Sequence, residues 1–154
     1  NIPLLSVYDA LGQDVRVAAC DFDIEMDRAL INRFQTDLDY DSVYIDLDDT
    51  VLCEGHVNPL AIAFVVQCRN RGVRVHLVSR HAGDVYDTLR RYGLAGLFDS
   101  VTAVDEFTCK SHAMVDDNAI FIDDSHAERQ RVREALGIPT FAVDALEALL
   151  DWRR

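Results

Sequence analysis

Long apolar runs are missing from this 154-residue chain, and none approaches the ~18 residues a membrane-spanning helix needs. The amino terminus also lacks the basic, apolar, small-residue order of a secretory signal. A soluble protein is the expectation. Cysteine is scarce: Cys20, Cys53, Cys68 and Cys109 form no CxxC pair and no cluster with histidine. That argues against a zinc site or a disulfide framework and for a reducing cytosol. The four thiols read as small packing residues, with Cys53 as the one open to exposure. Basic residues are few as well, 15 Lys and Arg against 27 Asp and Glu, for a net charge of −12. Nucleic acid is therefore disfavoured as a partner, because polyanion binders carry a basic face. Internal repeats and low-complexity tracts are absent from the sequence.

What is present suffices for one well-buried core: 154 residues, 49% apolar, are too few for two ordinary domains. From Ser42 onward strand and helix signals alternate, the pattern of a parallel sheet covered on both faces. The expected class is α/β, a three-layer α/β/α Rossmann-like sheet of about five parallel strands. Strands are predicted at Val43–Asp46, Val73–Ser79, Ser100–Val104, Ala119–Ile122 and Thr140–Val143. Asn58-Pro59 reads as an N-cap with proline at the first helical position, opening a helix that stops at Gly72. A second helix runs from about Gly83 to Tyr92, and a short one follows Lys110. Ser125 with Glu128 makes a capping box for a helix to Leu136, and Ala145–Trp152 closes the chain. Residues 1–41 read as an extension or linker, the tail of an upstream domain, with a strand at Val15–Ala19 and a mixed segment at Ile24–Phe34. Residues 42–154 form the domain proper. The start at Asn1 suggests a piece of a longer protein.

The most informative run is VYIDLDDT, Val43 to Thr50, in which a β-branched strand delivers Asp46, Asp48 and Asp49 onto the loop at its carboxyl end. Three carboxylates so close repel one another and are costly to dehydrate, so a cation is expected among them. AIFIDDS, Ala119 to Ser125, repeats the demand with Asp123 and Asp124. One Mg²⁺ shared by two neighbouring strand ends answers both. Ser79 ends the second strand and Lys110 starts a helix. In an open α/β sheet all of these converge on the crevice outside the carboxyl strand ends.

The order DLDDT, the Ser79 of LVSR, Lys110 and IDDS resembles the four motifs of the haloacid dehalogenase (HAD) superfamily, over Val43 to about Leu150. The resemblance implies a phosphatase in which Asp46 is the nucleophile that becomes an aspartyl-phosphate and Asp48 is the acid and base. Thr50 and Ser79 would bind the phosphoryl group and Lys110 would balance its charge. Mg²⁺ would be held by Asp46, the Asp48 carbonyl and Asp124, with Asp123 orienting the site through water or Lys110. Members often carry a cap domain after the first motif or before the third. This chain has room for neither, so an open site is implied, covered if at all by an upstream domain or a partner subunit. A further resemblance, carried by NIPLLSVYDALG, IFIDDSHAER and GIPTF, is to the carboxyl-terminal phosphatase-like part of bacterial ATP-grasp fusion proteins linked to surface-polysaccharide synthesis.

Plainer readings stand beside these. Taken singly, a DxDD run is a solvated loop and a serine after a strand is a cap or turn. Asp49 has no evident role. Arg80, His81, His126, His56 and Arg129 flank the motifs, where solvated loop positions are the first reading and substrate contact the second. Arg129, Arg131 and Arg133 read as a helix surface. A receiver domain would need its phosphorylated acid at the third strand, where Asp105 is the only candidate, and a lysine after the fifth, where TFAV has none. A phosphotransferase, or a non-catalytic interaction module of a larger protein, are the remaining alternatives. A dehalogenase would not call for Asp48 and Asp124.

Overall fold

The computed structural model describes residues 2–13, 34 and 36–151. The strand expected at Val15–Ala19, nearly all of the segment Ile24–Phe34, Cys20 and Trp152 lie outside them. The chain forms two compact units, residues 1–31 and 32–154. In the first, helix α1 spans Ile2–Ala10.

The second unit is built on a five-stranded sheet. Strand β1 (Ser42–Ile45) is followed by a short hairpin, β2 (Leu52–Cys53) and β3 (His56–Val57), and then by helix α2 (Pro59–Asn70). After them come β4 (Arg74–Ser79), α3 (Val85–Arg91), β5 (Ser100–Ala103), a 3₁₀ turn at Lys110–Ala113, β6 (Ala119–Ile122) and α4 (His126–Leu136). β7 (Thr140–Phe141), a 3₁₀ turn at Val143–Ala145 and α5 (Leu146–Leu149) complete the unit. The sheet order is β5-β4-β1-β6-β7, every neighbour parallel. The chain builds outward on one side of β1 and then crosses to the other, so the order reverses beside β1. In register, Ile45 is level with Leu77 on β4 and with Ile122 on β6, which brings three strand ends together.

Alternate residues of each strand serve opposite faces. Val43, Ile45, Ile120 and Ile122 pack in one core with Phe64 of α2, Leu89 of α3 and Leu146 of α5. Tyr44 and Phe121 pack in the other with Val132 of α4 and Met114. These two cores make the three layers. Both faces being covered explains why the strands read as continuous apolar runs. Leu38 and Tyr40 join the first core, so the sheet unit takes in residues before Ser42. Arg71 lies over the Tyr40 ring at 5.5 Å.

The helix ends follow their sequence signals. Asn58 caps α2 by accepting from the Leu60 N–H at 3.1 Å, and Pro59 occupies the first position, where no N–H is needed. Ser125 caps α4 by accepting from the Glu128 N–H at 3.4 Å. The return bond of the expected capping box is not made, because the Ser125 N–H donates to Asp123 Oδ1 and the Glu128 carboxylate pairs with Arg80 and Arg131. Gly137, at φ 69°, takes the left-handed conformation that ends the helix. At the carboxyl end the structure is more broken than the single strand and helix expected. β7 stops at Phe141, a 3₁₀ turn takes Val143–Ala145, and the closing helix is present as α5 over Leu146–Leu149, inside the expected range, whose last residue lies outside the described ones.

The acidic loop after β1 is a tight knot of backbone bonds. The Leu47 carbonyl accepts from the N–H groups of Thr50, Val51 and Leu52 at 3.4, 2.9 and 2.8 Å, and Asp49 N–H donates to the Leu52 carbonyl at 2.7 Å. Closing this turn puts Asp49 at φ 53°, a left-handed conformation that Asp and Asn tolerate better than other side chains. Asp49, without a role in the sequence, therefore shapes the loop that carries its neighbours. The hairpin turn beyond it has Glu54 and Gly55 both at positive φ, 50° and 75°, as two-residue hairpins favour.

Because the conformation and not the charge of Asp49 matters to the loop, Asp49→Gly is expected to leave urea-unfolding stability nearly unchanged. Asp49→Val is expected to cost about 1–2 kcal/mol. Equal effects of the two substitutions would contradict that role.

Candidate active site

Each functional side chain stands just past a strand or at the start of a turn, where backbone register fixes its height. Asp46 follows β1 and its N–H donates to the Ile122 carbonyl at 3.0 Å, tying it to the end of β6. Asp123 follows β6 and its N–H donates to the Phe141 carbonyl at 3.2 Å. Ser79 ends β4, and Lys110 opens the 3₁₀ turn. Carboxylate oxygens of Asp46, Asp123 and Asp124 all lie within 4.8 Å of one another, the first two residues buried and Asp124 exposed.

Lys110 holds this group together. It is the only lysine in the chain and is 3% exposed. Its Nζ lies 2.8 Å from Asp46 Oδ1 and 2.7 Å from Asp123 Oδ2, and 5.9 Å from the centre of the Phe121 ring. Three carboxylates against one ammonium leave the cluster two charges negative if all are ionised. The strain shows in the acids. Burial raises the Asp46 pKa above its ordinary value, against the opposing pull of Lys110. Burial, and after it the Asp46 charge, pushes Asp123 up to about 6. A site that is buried, oxygen-rich and short of positive charge fits a divalent cation of the Mg²⁺ kind.

Hydrogen-bond donors lie on the same rim. Ser79 Oγ, 1% exposed, is near enough to Asp46 to lower its pKa, yet makes no well-formed hydrogen bond among the described residues. Thr50, fully buried, accepts from the Asp124 N–H at 3.2 Å through Oγ1, which joins the loop after β1 to the loop after β6. The Thr50 carbonyl accepts from Asn58 Nδ2 at 3.0 Å, so the cap of α2 also braces the acidic loop. Cys53 Sγ contacts the same carbonyl, and burial, then the charges of Asp49, Asp124 and Glu54, raises its pKa. That shift disfavours the thiolate.

Several flanking residues read as solvated are braces instead. Arg129 Nη1 donates to the carbonyls of Asp123 and Asp124 at 2.6 and 2.7 Å, fixing the backbone between the two acids. Arg80 donates to the carbonyls of Asp105 and Thr108 at 3.1 and 2.7 Å and pairs with Glu128 at 2.8 Å, clamping the loop that delivers Lys110. His81 contacts Asp48. Arg131 and Arg133 do lie on the exposed face of α4, as read, where Arg131 bonds Glu128 and Arg133 bonds Thr140; Arg129 alone turns inward to the acidic loop. Sequence offered one signal for Arg80 and His81, their place directly after Ser79, and none for Arg129. Among the described residues the His56 ring bonds the Glu54 carbonyl alone, and His126 makes no hydrogen bond to the acids. Asp105 is committed to its own turn, accepting from the N–H groups of Phe107 and Thr108 at 2.9 and 2.7 Å, which gives the receiver reading no support.

Beside the cluster, Asp48, Asp49, Glu54, His81, Thr88 and Arg91 help line a cavity of about 590 Å³. Only the acidic loop and the β2–β3 hairpin separate β1 from α2, and only Val104–Cys109 separates β5 from Lys110. Among the described residues no helix is long and apolar enough to cross a membrane.

No protein-family model matches the chain, and neither does any curated protein sequence. Solved structures do. The N-terminal part of a Bacteroides fragilis protein, containing a phosphatase domain and complexed with Mg, is 19% identical at a TM-score of 0.51, over 68% of this chain. The match spans 36% of that protein's chain. The core domain of a Streptococcus pneumoniae protein assigned as a phosphoglycolate phosphatase is 15% identical at a TM-score of 0.51, over 71% of this chain and 82% of the other. Both share the fold of this chain's sheet unit, the parallel α/β architecture expected for it.

The raised pKa of Asp123 has a consequence for stability. Between its ordinary value of 3.8 and about 6 the folded state binds the proton more tightly than the unfolded chain does. Its contribution is therefore full below pH 3.8 and is lost as pH rises to about 6. With a chelator present, the stability of the wild type relative to Asp123→Asn is expected to fall across that window by on the order of 2 kcal/mol. Urea denaturation at several pH values measures it, and a flat or rising difference would contradict the assignment.

Proposed function

We propose that the protein is a Mg²⁺-dependent phosphomonoester hydrolase working through an aspartyl-phosphate on Asp46. The observation that carries this reading is the meeting of Asp46, Asp123 and Asp124 within 4.8 Å at the end of the central strand, with Lys110 between two of them. Asp46 and Asp124, with the Asp48 carbonyl, would hold Mg²⁺, and Asp123 keeps Lys110 in place. When bound, the ion neutralises the cluster and polarises the phosphoryl oxygens.

The chain's own groups supply the rest. An Asp46 carboxylate oxygen forms a bond to phosphorus as the ester O–P bond breaks, and Asp48 gives its proton to the departing oxygen. Asp48, now a carboxylate, takes a proton from water. The resulting hydroxide oxygen bonds to phosphorus, the Asp46 O–P bond breaks, and phosphate leaves with Asp48 protonated again. Ser79 Oγ has a donor to spare for a phosphoryl oxygen, and the Thr50 hydroxyl, which only accepts from Asp124, has its own proton to give. Lys110 offsets the charge that gathers on nucleophile and phosphoryl group.

The leaving group occupies the cavity beside Asp48. With only a hairpin and a short loop at the two places where a cap would stand, the site is open, of the capless kind, and an upstream domain or partner subunit is the natural cover. The setting of an ATP-grasp fusion protein of polysaccharide biosynthesis would supply such a domain, with residues 1–31 as a unit of their own. A sugar hydroxyl in place of water would make the same chemistry a phosphotransfer. The unpaired Cys53, Cys68 and Cys109 suit the cytoplasm.

Hydrolysis of p-nitrophenyl phosphate tests the proposal. Asp46→Asn is expected to abolish it, Asp48→Asn to lower it by about 10²–10⁴-fold, and EDTA to remove it until Mg²⁺ is restored. Equal activity in all three proteins would end the proposal.

A further inference from the structure

We propose that His81, itself held by Thr88, is the positioning residue of Asp48 and sets how well Asp48 protonates a poor leaving group; this rests on the phosphatase reading above. Asp48 needs such a partner. Its side chain is 49% exposed, on a loop, in a cavity it shares with the carboxylates of Asp49 and Glu54. Left alone it would spread over several rotamers, and a general acid must be aimed.

His81 is in place to aim it. Nδ1 lies 2.9 Å from both Oδ1 and Oδ2 of Asp48, so one N–H is shared between the two oxygens and fixes the carboxylate plane. Among the described residues no other side chain bonds that carboxylate. The second ring nitrogen decides the tautomer. Nε2 lies 2.8 Å from Thr88 Oγ1, and a hydroxyl that donates there leaves the neutral ring's proton on Nδ1, facing Asp48. Ring and hydroxyl thus point one way along the chain Thr88, His81, Asp48.

The far end of the chain is anchored. Thr88 sits in α3, whose first turn is capped by Asp84, accepting from Tyr86 and Asp87, and whose Val85 and Leu89 are buried in the core. A helix packed on the sheet therefore sets the angle of a loop carboxylate 33 residues away from His81 in sequence. Asp48, His81 and Thr88 all line the cavity assigned to the leaving group.

The test compares kcat/KM for p-nitrophenyl phosphate, whose leaving group needs no proton, with that for glycerol 2-phosphate, whose alkoxide does. His81→Ala is expected to lower the value for the alkyl ester by about 10–100-fold and that for the aryl ester far less. His81→Asn, which can place an N–H where Nδ1 stood, should recover part of the loss, and Thr88→Val should shift the ratio the same way by a smaller factor. On an Asp48→Asn background, His81→Ala should change the ratio no further. A parallel fall for both esters, or an unchanged shift on the Asp48→Asn background, would overturn the inference while leaving the phosphatase standing. A wild type inactive on both esters would overturn the proposed function and this inference with it.

Discussion

One buried ammonium group between two buried carboxylates holds the functional end of this fold together. β1 and β6 lie side by side and each ends in acid, so their pairing forces Asp46 and Asp123 into a space with little water. Burying such charges costs several kcal/mol unless they are paired with good geometry. Lys110 meets both at 2.7–2.8 Å. Its reach is spent on the site and not on solvent, in a chain whose other basic residues are all arginines. A guanidinium is planar and always charged, whereas a compact ammonium suits a point contact with two oxygens from different strands. Under the proposed function, the negative charge that Lys110 leaves uncompensated would be met by a divalent cation bound among the carboxylates.

The sheet order explains why the acids meet. β1 is central, and the chain builds outward to β4 and β5 before returning to β6 on the other side. A crevice opens at such a reversal, outside the carboxyl strand ends. The loops around it are braced from the surrounding elements. Asn58 at the start of α2 holds the Thr50 carbonyl, Arg129 of α4 holds the two carbonyls between Asp123 and Ser125, and Arg80 clamps the turn before Lys110. These braces hold carboxylates that would otherwise push the loops apart.

Much of this was legible because it depends on local rules. Strands with both faces buried need continuous apolar runs, and Asn58, Pro59, Ser125 and Gly137 serve the orphaned backbone groups at helix ends. The convergence of Asp46, Ser79, Asp123 and Asp124 follows from their places at strand ends, and that of Lys110 from its place at the start of the 3₁₀ turn. The braces were not legible. Whether Arg129 faces solvent or two carbonyls depends on a backbone path that no local pattern encodes, and the His81–Asp48 contact joins residues from different strand ends. Asp49 was opaque for a similar reason, since its left-handed φ emerges only once Leu47 gathers three N–H groups. The closing helix was legible in place but not in extent: neither Ala142 nor Ala145 offers a capping side chain, and a 3₁₀ turn at Val143–Ala145 precedes the short α5.

The most direct measurement is a crystal structure of the protein soaked with Mg²⁺ and beryllofluoride, a mimic of an acyl phosphate's phosphoryl group. The expected result is beryllofluoride on the Asp46 carboxylate, in contact with Lys110 and Ser79, and Mg²⁺ among the oxygens of Asp46 and Asp124. An unmodified Asp46, with no ion among the three carboxylates, would contradict the account.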